Sequence, residues 1–189
     1  RTPAPSFPTK GVAQSSDAAF KAWPALNNET TRRAVNAGRR FRLHLDTNAS
    51  RVVDPTVELF HGDSLMSRFA MAVATRRCID RKEFFEACEF FAQVQGTLVA
   101  DDGLLIDVAG GHGLVGTLVA LFKSKDFERV IIRDPRRPKA FDEVVSAAVE
   151  VAPWVSGRIT YEQKKILPSD PLPRGGAAVV CVHGCKSLT

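Results

Sequence analysis

The spacing of hydrophobic residues is helical before residue 103 and alternates between strand and helix after it. In the stretch 63–77, apolar residues recur every three or four positions, which predicts an amphipathic helix. Residues 80–83 resemble a capping box, and they open a second predicted helix that ends at Gln95-Gly96. The side chains predicted to face inward from these two helices are Leu65, Met66, Phe69, Val73, Ala74, Phe84, Phe85, Cys88, Phe91 and Ala92.

The second half of the chain has the order strand, helix, strand, helix, strand, strand. Four apolar runs are short enough to be strands, at residues 104–106, 129–134, 158–161 and 177–182. Two stretches with helical spacing separate the first three strands, at residues 114–123 and 141–149. This order favours an α/β fold with right-handed crossovers and a mostly parallel sheet.

The chain divides into three regions by composition. Residues 1–27 are rich in proline and are predicted to form an extended arm. Residues 28–102 are predicted to be a helical N-terminal region, and residues 103–189 the α/β domain. The stretch 28–45 carries five arginines on a predicted helix. These arginines either face phosphate groups or form a surface that is solvated or contacts a partner subunit.

The composition is that of a soluble globular domain. Of 189 residues, 44% are hydrophobic and 25% are charged. No apolar run approaches the roughly 20 residues that a membrane-spanning helix needs. The net charge of +5 permits an anionic partner such as RNA without requiring one. The four cysteines do not make a disulfide framework in a chain of this length, which favours a reducing, intracellular compartment.

The sequence LLIDVAGGHGLVG, residues 104–116, places a glycine-rich segment directly after the first predicted strand. Its last six residues have the spacing G-x-G-x-x-G, which is typical of loops that bind a dinucleotide at a helix N-terminus. Asp134 ends the second predicted strand, 18 residues after Gly116, where an acidic residue can bind the ribose of an adenosine. Both NAD(P) and S-adenosylmethionine contain an adenosine, so Asp134 is compatible with either.

Residues 107–113, DVAGGHG, resemble the D-x-G-x-G-x-G first motif of the Rossmann-like S-adenosylmethionine-dependent methyltransferases, with Ala109 in place of the first glycine. A dinucleotide fold ordinarily has an aliphatic residue at the position of Asp107. The resemblance implies that Asp107 organises the methionine end of the cofactor and that Asp134 holds the ribose. It implies cofactor contacts at Asp107, Ala109, Gly111, Gly113 and Asp134, and His112 is predicted only to line the pocket.

The segment 182–189, VHGCKSLT, is similar to the "LHACG…TD" fourth motif of one methyltransferase group. In that group the fourth strand borders the place where cofactor and substrate meet, which implies catalytic roles for His183 and Cys185. His183 can also be interpreted as a buried, hydrogen-bonded histidine at a strand end. Cys181, His183 and Cys185 could face a metal ion together, but this spacing is poor for zinc, and we predict no metal site.

These patterns favour an S-adenosylmethionine-dependent methyltransferase that acts on RNA, a ribonucleoprotein or a protein. One alternative is a catalytically inactive methyltransferase-like subunit of a large assembly. Another is an NAD(P)-binding domain, in which Arg136 and Arg137 could meet a 2′-phosphate. The resemblance implies seven strands, whereas four are predicted before Thr189. We therefore expect that the domain is incomplete at its C-terminus, that a protein partner covers the open sheet edge, or that the fold is a remnant.

Overall fold

The structure is a computed structural model that describes residues 63–165 and 176–182. The predicted arm at residues 1–27 and the predicted arginine-bearing helix at residues 28–45 lie outside the described residues. The predicted catalytic residues His183 and Cys185 also lie outside them. Within the described part, no helix is both long enough and apolar enough to cross a lipid bilayer.

The described chain begins with two helices and continues with alternating strands and helices. The helices are α1 (Leu65–Arg76), α2 (Arg81–Val94), α3 (Leu114–Phe122) and α4 (Lys139–Val151). The strands are β1 (Leu104–Val108), β2 (Arg129–Asp134), β3 (Ile159–Gln163) and β4 (Ala178–Val180). A short 3₁₀ helix, Pro153–Val155, lies between α4 and β3. Strands β1 and β3 end two residues later than predicted, and β4 covers only the middle of its predicted run.

The four strands form one sheet in the order β3-β2-β1-β4, and all three pairings are parallel. In the register of the sheet, Ile106 of β1 is paired with Ile131 of β2 on one side and with Val179 of β4 on the other. Helix α3 connects β1 to β2 and helix α4 connects β2 to β3, which are the long connections that these parallel pairings require. The structure thus confirms an α/β fold with a parallel sheet and flanking helices.

The two N-terminal helices pack on the helices that connect the strands. Helix α1 packs on α4 and α2 packs on α3, so a second layer of helices covers the first. The predicted inward-facing residues of α1 and α2 are buried, except that Ala92 is only partly buried. They share one hydrophobic cluster with the helix-facing side chains of the sheet, which are Leu105, Val130, Ile132, Ala178 and Val180. The helices before residue 103 therefore contribute to the same core as the sheet.

The N-termini of α1 and α2 differ in their capping. The Ser64 hydroxyl accepts a hydrogen bond from the Ser67 amide at 3.0 Å, which caps the N-terminus of α1. Asp80 is the N-cap residue of α2, as the sequence indicated, but its side chain makes no capping hydrogen bond. The predicted capping box is therefore wrong in this respect. The carboxylate of Glu83, its other member, lies 3.4 Å from His112 Nε2.

The sheet face opposite the helices carries an exposed apolar side chain. Val179 is 46% exposed, whereas its strand neighbours Ala178 and Val180 are buried against the helices. Strand β4 is an edge of the sheet within the described residues. The predicted partner at the open edge remains a prediction. Among the described cysteines, Cys88 is buried as expected, and Cys78 is only partly buried.

Gly116 allows helix α3 to lie directly on β2. A Cβ atom at this position would lie 2.4 Å from Ile132 Cδ1 and 2.8 Å from Val130 Cγ1. Both of those side chains are fully buried, so neither has space into which to move. This is the role that the last glycine of a G-x-G-x-x-G loop has in close helix–strand packing.

We predict that Gly116→Ala lowers the free energy of unfolding by about 1–3 kcal/mol, because it overpacks the contact between α3 and β2. Chemical denaturation monitored by circular dichroism measures the change. The matched control is Gly96→Ala, where a Cβ would meet no atom within 4 Å and a change within about 0.5 kcal/mol is expected. Equal stability of the Gly116 variant and the wild type would contradict this role.

Candidate functional site

The glycine loop, residues 109–113, joins β1 to α3 at the carboxyl edge of the sheet. Strand β2 lies on one side of β1 and β4 on the other, so the strand order reverses at β1. In open parallel sheets, ligands bind outside the carboxyl ends of the strands at such a reversal. The topology therefore places the glycine loop where a ligand is expected to bind.

Three residues of the glycine loop have left-handed backbone conformations. The φ angles are 54° at Ala109, 50° at Gly111 and 72° at Gly113. Glycine tolerates this conformation, whereas alanine is strained in it. A Cβ at Gly113 would lie 3.0 Å from the Phe141 ring, but a Cβ at Gly111 would meet no atom within 4 Å. Gly111 therefore borders open space, which leaves room for a ligand beside it.

Asp107 lies beneath the glycine loop and is only 1% exposed. Its Oδ2 atom accepts a hydrogen bond from the Gly116 amide at 3.0 Å. A Cβ at Gly110 would lie 2.8 Å from Asp107 Cγ, so the loop backbone rests directly on the carboxyl group. Asp107 thus fixes the loop to the first turn of α3.

Burial raises the pKa of Asp107 from its ordinary value of 3.8 to about 7. The Gly116 hydrogen bond and the charge of His112 lower this pKa, while the negative charge of Asp134 raises it. Burial is the largest contribution because a carboxylate loses its hydration in the core. The buried Asp107 is therefore partly protonated at neutral pH.

Asp134, the last residue of β2, is hydrogen-bonded through both carboxylate oxygens. Oδ2 accepts from the Gly111 amide at 3.3 Å, and Oδ1 accepts from the Arg136 amide at 2.9 Å. The structure therefore brings Asp134 against the glycine loop through the Gly111 amide. It also shows that the carboxylate connects this loop to the start of the loop after β2.

Tyr161, on β3, completes the same set of contacts. Its hydroxyl lies 2.7 Å from the carbonyl oxygen of Arg136 and 3.1 Å from that of Gly111. Its ring packs edge to face on Phe141, with centroids 4.8 Å apart. Burial, followed by the charge of Asp134, raises the pKa of Tyr161 to about 12, so the hydroxyl keeps its proton. The sequence predicts Tyr161, the only tyrosine of the chain, as the last residue of the third strand, and no sequence pattern relates it to the glycine loop.

His112 connects the glycine loop to the N-terminal helices. Its Nε2 atom lies 3.4 Å from the Glu83 carboxylate of α2. Its Nδ1 atom is buried and has no hydrogen-bond partner among the described residues. No sequence pattern pairs these two residues, which are 29 positions apart in the chain. Among the described residues, no three His, Cys, Asp or Glu side chains are grouped so that they could hold a metal ion.

The two arginines after Asp134 have different surroundings. Arg137 forms an ion pair with Asp142, and its guanidinium lies 5.0 Å from the Phe141 ring centroid. Arg136 is exposed and contributes its backbone to the contacts with Asp134 and Tyr161. The Arg137 charge is therefore already balanced by a carboxylate.

No protein-family model, curated protein or solved structure with which the chain was compared matches it. The functional assignment consequently depends on the geometry of the glycine loop and the residues around it.

The raised pKa of Asp107 predicts a pH dependence of stability. Well below pH 4 the Asp107 carboxyl group is protonated in both the folded and the unfolded chain, so it adds no pH dependence to the free energy of unfolding. Between about pH 4 and 7 the folded chain binds the additional proton, so the free energy of unfolding falls as the pH rises. Over this pH range the free energy of unfolding falls by a few kcal/mol, since one pKa unit corresponds to about 1.4 kcal/mol.

We predict that Asp107→Asn removes this contribution and stabilises the chain at pH 7.5. Asparagine retains an oxygen that can accept the Gly116 amide. Urea denaturation at several pH values measures the effect, with the exposed carboxylate variant Glu128→Gln as the control. The prediction fails if the Asp107 variant and the control have the same pH dependence.

We also predict that Ala109→Gly raises the free energy of unfolding by up to about 1 kcal/mol, because it relieves the left-handed strain at φ 54°. The control is Ala92→Gly, inside α2, where glycine is expected to lower the free energy of unfolding by about 1 kcal/mol. Thermal or chemical denaturation of both variants tests the sign. A destabilised Ala109 variant would refute the argument from strain.

Proposed function

We propose that this chain binds S-adenosylmethionine at the glycine loop and is a Rossmann-like methyltransferase. The observation that carries the proposal is the arrangement of Asp107 and Asp134 at the carboxyl ends of adjacent parallel strands, on either side of a left-handed glycine loop. Asp107 supports the loop from below, and Asp134 contacts it from the side. Open space beside Gly111 is compatible with a ligand lying against the loop backbone.

The charges around the loop favour S-adenosylmethionine over a dinucleotide. Asp134 is close enough to Asp107 to raise its pKa, and Glu83 lies beside His112 in the loop. A pyrophosphate would add negative charge beside Asp134 and Glu83, whereas a sulfonium cofactor brings positive charge. The Gly116 amide, which belongs to the first turn of α3, is already bonded to Asp107. It is therefore not free to bind a phosphate at this helix N-terminus.

In the proposed site, the residues of the chain act mainly by positioning. Asp134 would bind the ribose hydroxyls, and Ala109, Gly111 and Gly113 would allow close approach of the loop backbone. When bound, S-adenosylmethionine supplies an electrophilic methyl group for direct transfer to a substrate nucleophile. Alignment of that nucleophile is the principal catalytic requirement. His183 and Cys185, which the resemblance assigns to the border of this site, would serve that alignment.

We propose an RNA or ribonucleoprotein substrate, because a chain with a net charge of +5 attracts an anionic partner. Exposed basic residues follow the carboxyl ends of β2 and β3, next to the proposed cofactor site. They are Arg136, Lys139, Lys164 and Lys165. The Lys164 amide donates to the carbonyl of Asp134 at 3.1 Å, which brings the two basic segments together. Phosphate groups could therefore be held beside the methyl donor.

A second candidate is a catalytically inactive subunit that keeps this fold as a scaffold. The specific observation in its favour is that Asp134 is fully engaged by backbone amides of the chain itself. The exposed Val179 on edge strand β4 provides an apolar position for a partner protein. A scaffold of this kind would retain the packing around Asp107 without binding a cofactor.

We predict that S-adenosylmethionine binds the full chain and that Asp134→Asn weakens this binding at least tenfold, because the amide is a poorer acceptor for the ribose hydroxyls. Isothermal titration calorimetry with S-adenosylmethionine and S-adenosylhomocysteine measures both affinities. Asp126→Asn is the matched control, because this exposed aspartate lies just before β2, at the other edge of the sheet.

Three outcomes distinguish the candidates. Binding that Asp134→Asn weakens and Asp126→Asn does not supports the methyltransferase. No heat from a well-folded chain with either ligand would reject it and favour the scaffold. Binding of NAD or NADP, measured in parallel, with none of S-adenosylhomocysteine would favour the dinucleotide alternative.

A further inference from the structure

Gly111 is held through both of its backbone polar groups by residues from two different strands. Its amide donates to Asp134 of β2 at 3.3 Å, and its carbonyl lies 3.1 Å from the Tyr161 hydroxyl of β3. No side chain packs where a Cβ of Gly111 would be. The conformation of this residue, at φ 50°, therefore depends on polar contacts rather than on packing.

The same two side chains also hold the loop that follows β2. The Arg136 amide donates to Asp134 at 2.9 Å, and the Arg136 carbonyl accepts from Tyr161 at 2.7 Å. Asp134 thus binds the two amides, and Tyr161 faces the two carbonyls. Together they connect Gly111 and Arg136, which belong to different loops on the carboxyl edge of the sheet.

The sheet and Phe141 hold the Tyr161 side chain in place. Its backbone is paired with Ile132 in the parallel ladder between β2 and β3. Its ring packs on Phe141, which is 4% exposed, and the Arg137 guanidinium lies 5.8 Å from the ring centroid. The hydroxyl has one hydrogen and faces two carbonyl oxygens, so it can donate to only one of them at a time. The ring is fixed while the hydrogen bond can change partner.

We propose that Tyr161 is a positioning residue whose hydroxyl acts as a latch between the glycine loop and the loop after β2. Its hydrogen bond to Arg136 leaves the Gly111 carbonyl free to move, and its hydrogen bond to Gly111 fixes the loop. The role of the latch in cofactor affinity rests on the proposed function. The latch itself concerns only contacts within the chain.

Tyr161→Phe tests the latch, because it removes the hydroxyl and keeps the ring on Phe141. Thr160→Val is the matched control, since it removes a hydroxyl from the neighbouring, exposed position of β3. Hydrogen–deuterium exchange of the full chain without any ligand gives the first measurement. We expect exchange about 3- to 10-fold faster in peptides that contain Gly111 and Arg136, as the loss of one hydrogen bond of about 1 kcal/mol implies.

Calorimetric titration with S-adenosylmethionine gives the second measurement. We expect Tyr161→Phe to bind it about 3- to 10-fold more weakly than the wild type and Thr160→Val to bind it equally well. In wild-type protein carrying ring-labelled tyrosine, the single tyrosine signal should shift on titration, because the chain has no other tyrosine.

The exchange measurement decides the proposal by itself. Unchanged exchange in both loops of Tyr161→Phe would overturn the latch, and so would an equal increase in α1, which would indicate general destabilisation. Faster exchange confined to the two loops supports the latch even if S-adenosylmethionine binds neither protein. That last result would reject the proposed function alone.

Discussion

The hydrogen bond between the Gly116 amide and the buried Asp107 carboxylate is the constraint on which the site depends. It joins the end of β1 to the first turn of α3, and the glycine loop lies between these two points. Because Gly110 rests on the same carboxyl group, the loop has little freedom to move away from the sheet. The absence of side chains at Gly110 and Gly116 makes this close approach possible.

This constraint has an energetic cost that a purely structural core would avoid. A carboxylate that is 1% exposed has lost its hydration, and its pKa of about 7 reflects that loss. Ala109 adds backbone strain next to it, with φ at 54°. Destabilising features of this kind cluster at functional sites. Their position at the carboxyl edge of the sheet is the reason to interpret the loop as a binding site rather than a simple turn.

The sequence predicted the parts of this structure that depend on local spacing. Strand β2 was predicted with its observed bounds because a buried apolar run is followed directly by Asp134 and Pro135. Strand β1 was predicted too short because a charged residue normally ends a buried strand, and the burial of Asp107 depends on an amide nine residues away. The contact of Tyr161 with Gly111 spans 50 residues, and no local pattern contains it. The contact of Glu83 with His112 joins two regions that had been predicted separately.

The same contacts determine how the site can serve a ligand. Asp134 and Tyr161 satisfy the polar groups of two loops, so a ligand that used Asp134 would have to offer hydrogen-bond donors in place of the Gly111 or Arg136 amide. Ribose hydroxyls are donors and can replace either amide on Asp134. Once ribose hydroxyls bind Asp134, the displaced Gly111 or Arg136 amide is available to acceptor atoms of the same ligand. A ligand that carries ribose hydroxyls together with acceptor oxygens, as S-adenosylmethionine and NAD(P) both do, has donors for Asp134 and acceptors for the two loop amides.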